Sequence, residues 1–261
     1  MSKKRPALLC DTHAHTVAST HAYSTVHDYW QYAEMAGLQL FSITDHAPTM
    51  PDAPHYWHFG NMKILPRLHN NIALLRGIEA NILPDFSGTD LVGRLTEFMD
   101  IAIASFHEPV FPFAAQRDHT RAAIAAFESG NIQIFGHPGN PNYPIDSEEI
   151  IRAAKDNNVL IEINNSSFGH SRSGSEPNCI KIMELVDTLD WKVVFGSDSH
   201  CAFQIGDFSS CLEKAAQIQF PLERVISATP EKLLTFLGEH EKPVADELML
   251  WAKKQANTEI S

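Results

Sequence analysis

Fourteen histidines stand in this chain, with no histidine-rich tract or terminal tag to account for them. Their positions carry more information than their number. One apolar run leads into Asp11-Thr12-His13-Ala14-His15, and because side chains alternate along extended backbone, His13 and His15 point the same way. His21 follows six residues later. Further apolar runs end in Thr44-Asp45-His46, Gly77-Ile78-Glu79, Ser105-Phe106-His107, Gly136-His137-Pro138 and Gly196-Ser197-Asp198-Ser199-His200. Any one of these residues, taken alone, reads as a hydrogen-bonded loop or core residue. An H-x-H, a D-x-H, two further lone histidines and a carboxylate, all at the same edge, read as a metal centre. Three closed tetrahedral sites would need twelve contacts, whereas these nine side chains with one bridging carboxylate supply ten, which leaves positions open for water or substrate, as in catalytic sites. Seven imidazoles and two carboxylates without thiolate favour zinc, with manganese or iron as other occupants. Two or three such ions close together suit phosphoryl transfer.

The elements that must position these residues are legible in the same pattern. Seven strand-like runs cover 7–10, 39–44, 73–78, 100–106, 132–136, 159–163 and 192–196, and helical spacing occupies 27–37, 118–129, 147–157, 176–189 and 207–217. Asp146 or Ser147, with Glu148 and Glu149 nearby, reads as a helix N-cap. Strand followed by helix, repeated, means parallel β/α units. Runs that are apolar almost throughout, instead of alternating, suit strands covered on both faces. A closed or nearly closed β/α barrel fits best, and in such barrels active sites assemble at the C-terminal ends of the strands.

Composition narrows the partners. With 20 Lys and Arg against 32 Asp and Glu, the formal charge of −12 repels a phosphodiester backbone, which disfavours nucleic acid as a partner. The start MSKKRPALLC is too short in apolar residues for a secretory leader, and no run approaches a membrane span, so the expectation is a cytoplasmic protein with no membrane partner. Cys10, Cys179, Cys201 and Cys211 form no C-x-x-C pair and read as reduced, mostly buried thiols; Cys201, beside His200, is a weak ligand candidate. One domain over 1–240 is the simplest division, followed by a polar, helix-prone tail over 241–261 whose Leu248, Leu250 and Trp251 could dock on a second subunit or on the barrel itself.

The strings D-T-H-A-H-T, S-I-T-D-H, G-I-E-A-N, F-H-E-P, G-H-P-G-N-P and G-S-D-S-H resemble the PHP (polymerase and histidinol phosphatase) domain. V-A-S-T-H-A-Y-S-T, H-Y-W-H-F, E-I-N-N-S-S-F and G-S-D-S-H-C-A-F resemble its stand-alone YcdX-type phosphatases, and the likeness runs from about residue 8 to about residue 238. It implies a distorted (β/α)7 barrel of the α/β class with TIM-like architecture, a trinuclear zinc centre, phosphatase activity and a homo-oligomer, often a trimer. Carried over by position, His13, His15, Glu79 and Asp198 would hold the first metal. His21, His46 and His200 would hold the second, and Glu79, His107 and His137 the third.

Around these ligands the expectations are looser. Asp11 and Asp45 sit beside ligands and are candidates to orient an imidazole, and Asp45 is also a candidate donor to the leaving group. Arg172, in the loop after the sixth run, is the best cation for a phosphate. Arg76 falls on the far side of its strand from Glu79. His55 and His58 flank an aromatic pair where a substrate lid could sit, while His27, His69, His119 and His240 fall in helical segments without an evident role. The expected reaction is hydrolysis of a small phosphate monoester by metal-bound hydroxide. A phosphodiesterase or 5′-nuclease acting on short oligonucleotides is the alternative; an amidohydrolase and a non-catalytic zinc store are further from the pattern.

Overall fold

In the computed structural model, which describes residues 8–169 and 171–258, the apolar runs become the staves of a barrel. In chain order these are β1 (Cys10–Asp11), β2 (Leu40–Ile43), β3 (Leu68–His69), β4 (Ile72–Asn81), β5 (Ile101–Ser105), β6 (Ile134–Phe135), β7 (Leu160–Asn164) and β8 (Val193–Gly196). Seven of them pair in parallel in the order β1-β2-β4-β5-β6-β7-β8. The eighth, β3, is a two-residue strand antiparallel to β4, absent from the sequence expectation, and it holds His69, which is therefore not helical. A parallel bridge between Ala14 and Ser199 closes the seam beyond β1 and β8, where the His15 N–H donates to the Ser199 carbonyl at 2.8 Å. Ala7 and the basic start before it lie outside the described residues.

The helices follow the strands: α1 (Val26–Ala36), α2 (Trp57–Asn61), α3 (Leu95–Phe98), α4 (Gln116–Glu128), α5 (Ser147–Asp156), α6 (Glu176–Thr188), α7 (Ser209–Gln217), α8 (Pro230–Glu239) and α9 (Pro243–Thr258). Local chemistry sets their ends. Thr25 and Asp28 form a capping box at α1, which stops at Gly37 in the left-handed region at φ 75°. Asp146 accepts the Glu149 N–H at 3.1 Å and caps α5. Thr229 caps α8 through the Lys232 N–H, with Pro230 at the first helical position.

Alternation along the strands sorts the core into two parts. Phe41, Leu74, Ala102, Phe135, Ile161 and Phe195 face outward into the cluster they share with residues of α1, α4, α5 and α6. Leu40, Leu75, Ile101, Ile103, Ile134, Leu160 and Val194 form a second cluster with Leu233, Leu234 and Leu237 of α8 and Val244 and Leu248 of α9. The last two helices thus close the N-terminal end of the barrel. Leu248 is buried and Trp251 half-buried, its Nε1–H donating to Asn71 Oδ1 at 3.0 Å, so the tail docks on its own barrel; Leu250 remains 68% exposed. Among the described residues no helix is long and apolar enough to cross a membrane.

The inward series continues upward on each stave, and one to three steps beyond the apolar floor the side chains change from packing to chemistry. Leu40 leads through Ser42 to His46, Leu75 to Glu79 and Asn81, Leu160 to Glu162 and Asn164, and Val194 to Asp198. Arg76 is on the other parity, as expected, and its Nη2 donates to the carbonyls of Lys63 and Leu65.

Candidate metal centre

Glu79, 1% exposed at the upper end of β4, is the hub on which the histidines converge. Its Oε1 lies 3.4 Å from His13 Nε2, 3.3 Å from His107 Nε2 and 3.1 Å from His137 Nε2. Its Oε2 lies 3.4 Å from His15 Nε2 and 3.0 Å from His46 Nδ1. Asp198 Oδ1 is 3.5 Å from His13 Nε2 and 3.3 Å from His15 Nε2. The remaining two imidazoles meet each other, with 2.8 Å between His200 Nε2 and His21 Nε2, and the His200 ring stacks on His15 at 4.4 Å. All nine expected ligands thus stand in one cluster, contributed by β1, β2, β4, β5, β6 and β8 or the loops directly after them.

The spacing tests whether metal ions fit. Two ligands on one tetrahedral zinc, each about 2.0–2.1 Å from the ion, lie about 3.3 Å apart. The contacts among His13, His15, Glu79 and Asp198 span 3.1–3.5 Å. His15 Nδ1 and His46 Nε2 are buried without a hydrogen-bond partner, and pairs of ring nitrogens face each other with no acceptor between them. Divalent cations satisfy such lone pairs; another imidazole does not. The groups His13–His15–Glu79, His15–His46–His200 and His46–Glu79–His107 each bring their ligand atoms within 4.8 Å of one another. The donor set fits.

Electrostatics agree with that use. Burial pushes His15 down to about 3, helped by the neighbouring His46, and pushes His137 down to about 4, so both keep free lone pairs at neutral pH. Burial opposes ionisation of Glu79 and Asp198, yet His107, His13 and His46 hold the first well below the usual carboxylate range, and His13 and Arg172 hold the second there. His15 and His137 are thus neutral imidazoles beside two fixed negative charges, whereas against the effect of burial Glu162, Asp198 and Glu79 raise His13, and Glu79 raises His46, above the usual imidazole value.

Several outer partners escaped the motif reading. Asn81 Oδ1 accepts from His107 Nδ1 at 2.7 Å, Asp52 pairs with His21 Nδ1, and Glu162 Oε1 accepts from His13 Nδ1 at 2.7 Å. An acidic residue inside the apolar run L-I-E-I-N was the available signal for Glu162.

Two expectations need correction. Asp11 orients no imidazole: its carboxylate accepts backbone N–H groups from His13, Ser197 and Gly206, tying β1 to the chain after β8. Asp45 is fully buried, and its oxygens already accept from the Thr16 N–H and hydroxyl, the Ser19 hydroxyl and His58 Nε2. Burial alone would raise its pKa, but His58 and Thr16 bring it below the usual carboxylate value. Without a proton and away from the cavity wall, Asp45 secures the segment leading to His21 and has nothing to donate to a leaving group. The ring of His58 is committed to that carboxylate, while His55 packs against exposed Tyr56 and Trp57. Cys201 Sγ meets the Ser24 hydroxyl at 3.8 Å and stands in none of the ligand groups.

A cavity of about 820 Å³ opens over the centre. Its floor includes His21, His46, Glu79, His107, His137, Asp198 and His200; its walls carry Phe113, Tyr143 and Phe168, the amides of Asn140, Asn142 and Asn165, and Glu108. Arg172 is the one arginine or lysine among them. Its Nη2 donates to Asp198 Oδ2 at 2.7 Å, and its Nη1 is buried with no hydrogen-bond partner among the described residues.

No family model matches the chain. A probable phosphatase of Shewanella sediminis is 52% identical over 239 residues, covering 92% of this chain and 97% of that protein. A probable phosphatase of Shewanella piezotolerans is 51% identical over the same length and the same shares. Among solved structures, the chain is similar to histidinol phosphate phosphatase from Lactococcus lactis, a crystal structure complexed with zinc, L-histidinol and phosphate. The TM-score is 0.62 over 81% of this chain and 92% of that one, at 19% identity. That likeness shows the fold, the distorted (β/α)7 barrel of PHP type that the motifs led us to expect.

Proposed function

We propose, on the premise that this chain belongs to the family of those probable phosphatases, that it is a metal-dependent phosphatase of small phosphate monoesters, of the YcdX type. The observation that carries the reading is Glu79, a buried carboxylate with five imidazole nitrogens at 3.0–3.4 Å on the floor of an open cavity. Three zinc ions are assigned: one to His13, His15, Glu79 and Asp198, one to His21, His46 and His200, and one to Glu79, His107 and His137. Zinc held by these residues would supply Lewis acidity for activating water near neutral pH and for offsetting charge on the phosphoryl oxygens.

The chain's own residues do the rest. Arg172 presents Nη1 to a phosphoryl oxygen while Asp198 fixes the guanidinium through Nη2. Glu79 faces His107 and His137 of the third set with Oε1 and His15 of the first set with Oε2, so one carboxylate would serve both sets. Asp45 and Ser19 hold the loop between His15 and His21, since the Ser19 hydroxyl donates to Asp45 and accepts the His46 N–H at 3.0 Å. The neutral amides and aromatic rings of the wall receive the alcohol portion. The test is phosphate release from p-nitrophenyl phosphate by the protein as purified, after exhaustive chelation, and after zinc is returned. Release that is lost on chelation and restored by zinc supports the reading. A zinc-loaded protein that releases no phosphate from monoesters but cleaves a short oligonucleotide would replace it with the diesterase alternative.

A further inference from the structure

We propose that Glu162 is a positioning residue of this centre, its single carboxylate fixing the imidazole of His13 and the backbone of His137 so that ligands from β1 and β6 meet at Glu79. The inference rests on the metal-centre reading above, and Glu162 is outside every ligand set drawn there. It stands midway along β7, in register with Val194 of β8, and is 1% exposed. A buried carboxylate inside a barrel is costly unless each oxygen is met, and here each is. Oε1 accepts from His13 Nδ1 at 2.7 Å. Oε2 accepts the His137 N–H at 2.8 Å and Asn164 Nδ2 at 3.0 Å.

Both engagements bear on ligand geometry. Donation from Nδ1 fixes the His13 tautomer, which leaves Nε2 as the lone-pair nitrogen, and that atom is the one facing His15, Glu79 and Asp198. His137 adopts φ 33°, a left-handed conformation that a residue with a Cβ avoids unless its surroundings impose it. The bond from its N–H to Glu162 is a constraint that imposes it. The barrel also makes room for the carboxylate: a Cβ at residue 196 would sit 2.3 Å from Glu162 Oε1, so only glycine allows this approach from β8.

The test is zinc affinity, measured by competition with a colorimetric zinc chelator on the full chain, wild type against Glu162→Gln. Glutamine keeps the volume and one acceptor oxygen but cannot accept from both His13 and the His137 amide. The expected result is zinc held about 10–100-fold more weakly, with the unfolding midpoint of the metal-free protein little changed, a split that a purely structural role would not give. Equal chelator resistance of the two proteins would overturn the inference and leave the metal centre standing. A wild type that takes up no zinc would overturn both. Should the variant fail to fold, the nitrogen-15 spectrum of histidine-labelled, zinc-loaded wild type decides: a protonated Nδ1 on His13 supports the inference, and a protonated Nε2 refutes it.

Discussion

Replacing Arg172 with alanine removes the one guanidinium among the described residues that line the cavity and should slow catalysis without emptying the metal centre. Arg172 is 15% exposed at its side chain; Nη2 is held 2.7 Å from Asp198 Oδ2, and Nη1 has no hydrogen-bond partner among the described residues. In this arrangement Nη1 is a pre-oriented, charged donor whose strongest partner is the charge developing on phosphorus-bound oxygens. Loss of one such donor costs about 2.7–4 kcal/mol of transition-state stabilisation, or about 10²–10³ in kcat. Lysine keeps the charge but has one nitrogen to share between Asp198 and the phosphoryl group, so Arg172→Lys should fall between. Initial rates on p-nitrophenyl phosphate would be measured at saturating substrate beside zinc content per chain. Full kcat in Arg172→Ala with zinc retained would refute the reasoning. A rate lost in proportion to lost zinc would show instead that Arg172 acts through Asp198 alone.

Other consequences are open to direct measurement. Glu79→Ala and His21→Ala should each lower phosphate release by more than about a hundredfold while circular dichroism stays that of the folded barrel; full turnover in either would remove the ligand assignment. Leu248→Ala, at a site 2% exposed under the barrel, should cost about 2–5 kcal/mol in urea unfolding, and a change near zero would show that α9 does not close that end. Burial lowers the pKa of His119, whose Nδ1–H donates to the Pro144 carbonyl while Nε2 accepts the Ala114 N–H, both at 3.1 Å. The unfolded ring therefore takes up its proton first, near pH ~6.5, and stability declines as pH falls from there toward the lowered folded value. That part of the slope should vanish in His119→Gln; an unchanged slope would refute the assignment. A second phosphate on the substrate would find Glu108 and neutral amides in place of another cation, so a bisphosphate should show a KM at least about tenfold above that of the matching monophosphate, and equal values would contradict this reading of the wall.

The cluster of candidate ligands was legible because its chemistry leaves a mark that needs no distances. His13 and His15 share a face by parity, and His46, Glu79, His107, His137 and Asp198 each end an apolar run, so a parallel barrel brings them together whatever its exact shape. The strands were legible for the same reason, since their apolar runs are continuous. What escaped depended on contacts across the chain. Glu162 is 149 residues from His13, and nothing local pairs them. Asp45 and Asp11 sit beside ligands in sequence but turn to other partners, Asp45 to Thr16, Ser19 and His58, and Asp11 to three backbone amides. Adjacency told where their backbones lie and not where their carboxylates point. The short β3 and the fate of Leu248 and Leu250 likewise turn on tertiary packing, which periodicity alone does not encode.

Crystals of the zinc-loaded protein, measured on both sides of the zinc absorption edge, would locate the ions without reference to activity. Three anomalous peaks around Glu79, each within about 2.0–2.3 Å of its assigned nitrogens and oxygens, are the expected result. A fully loaded protein with its zinc elsewhere, and no peak among His13, His15, His21, His46, His107, His137 and His200, would contradict the metal centre and the phosphatase built on it.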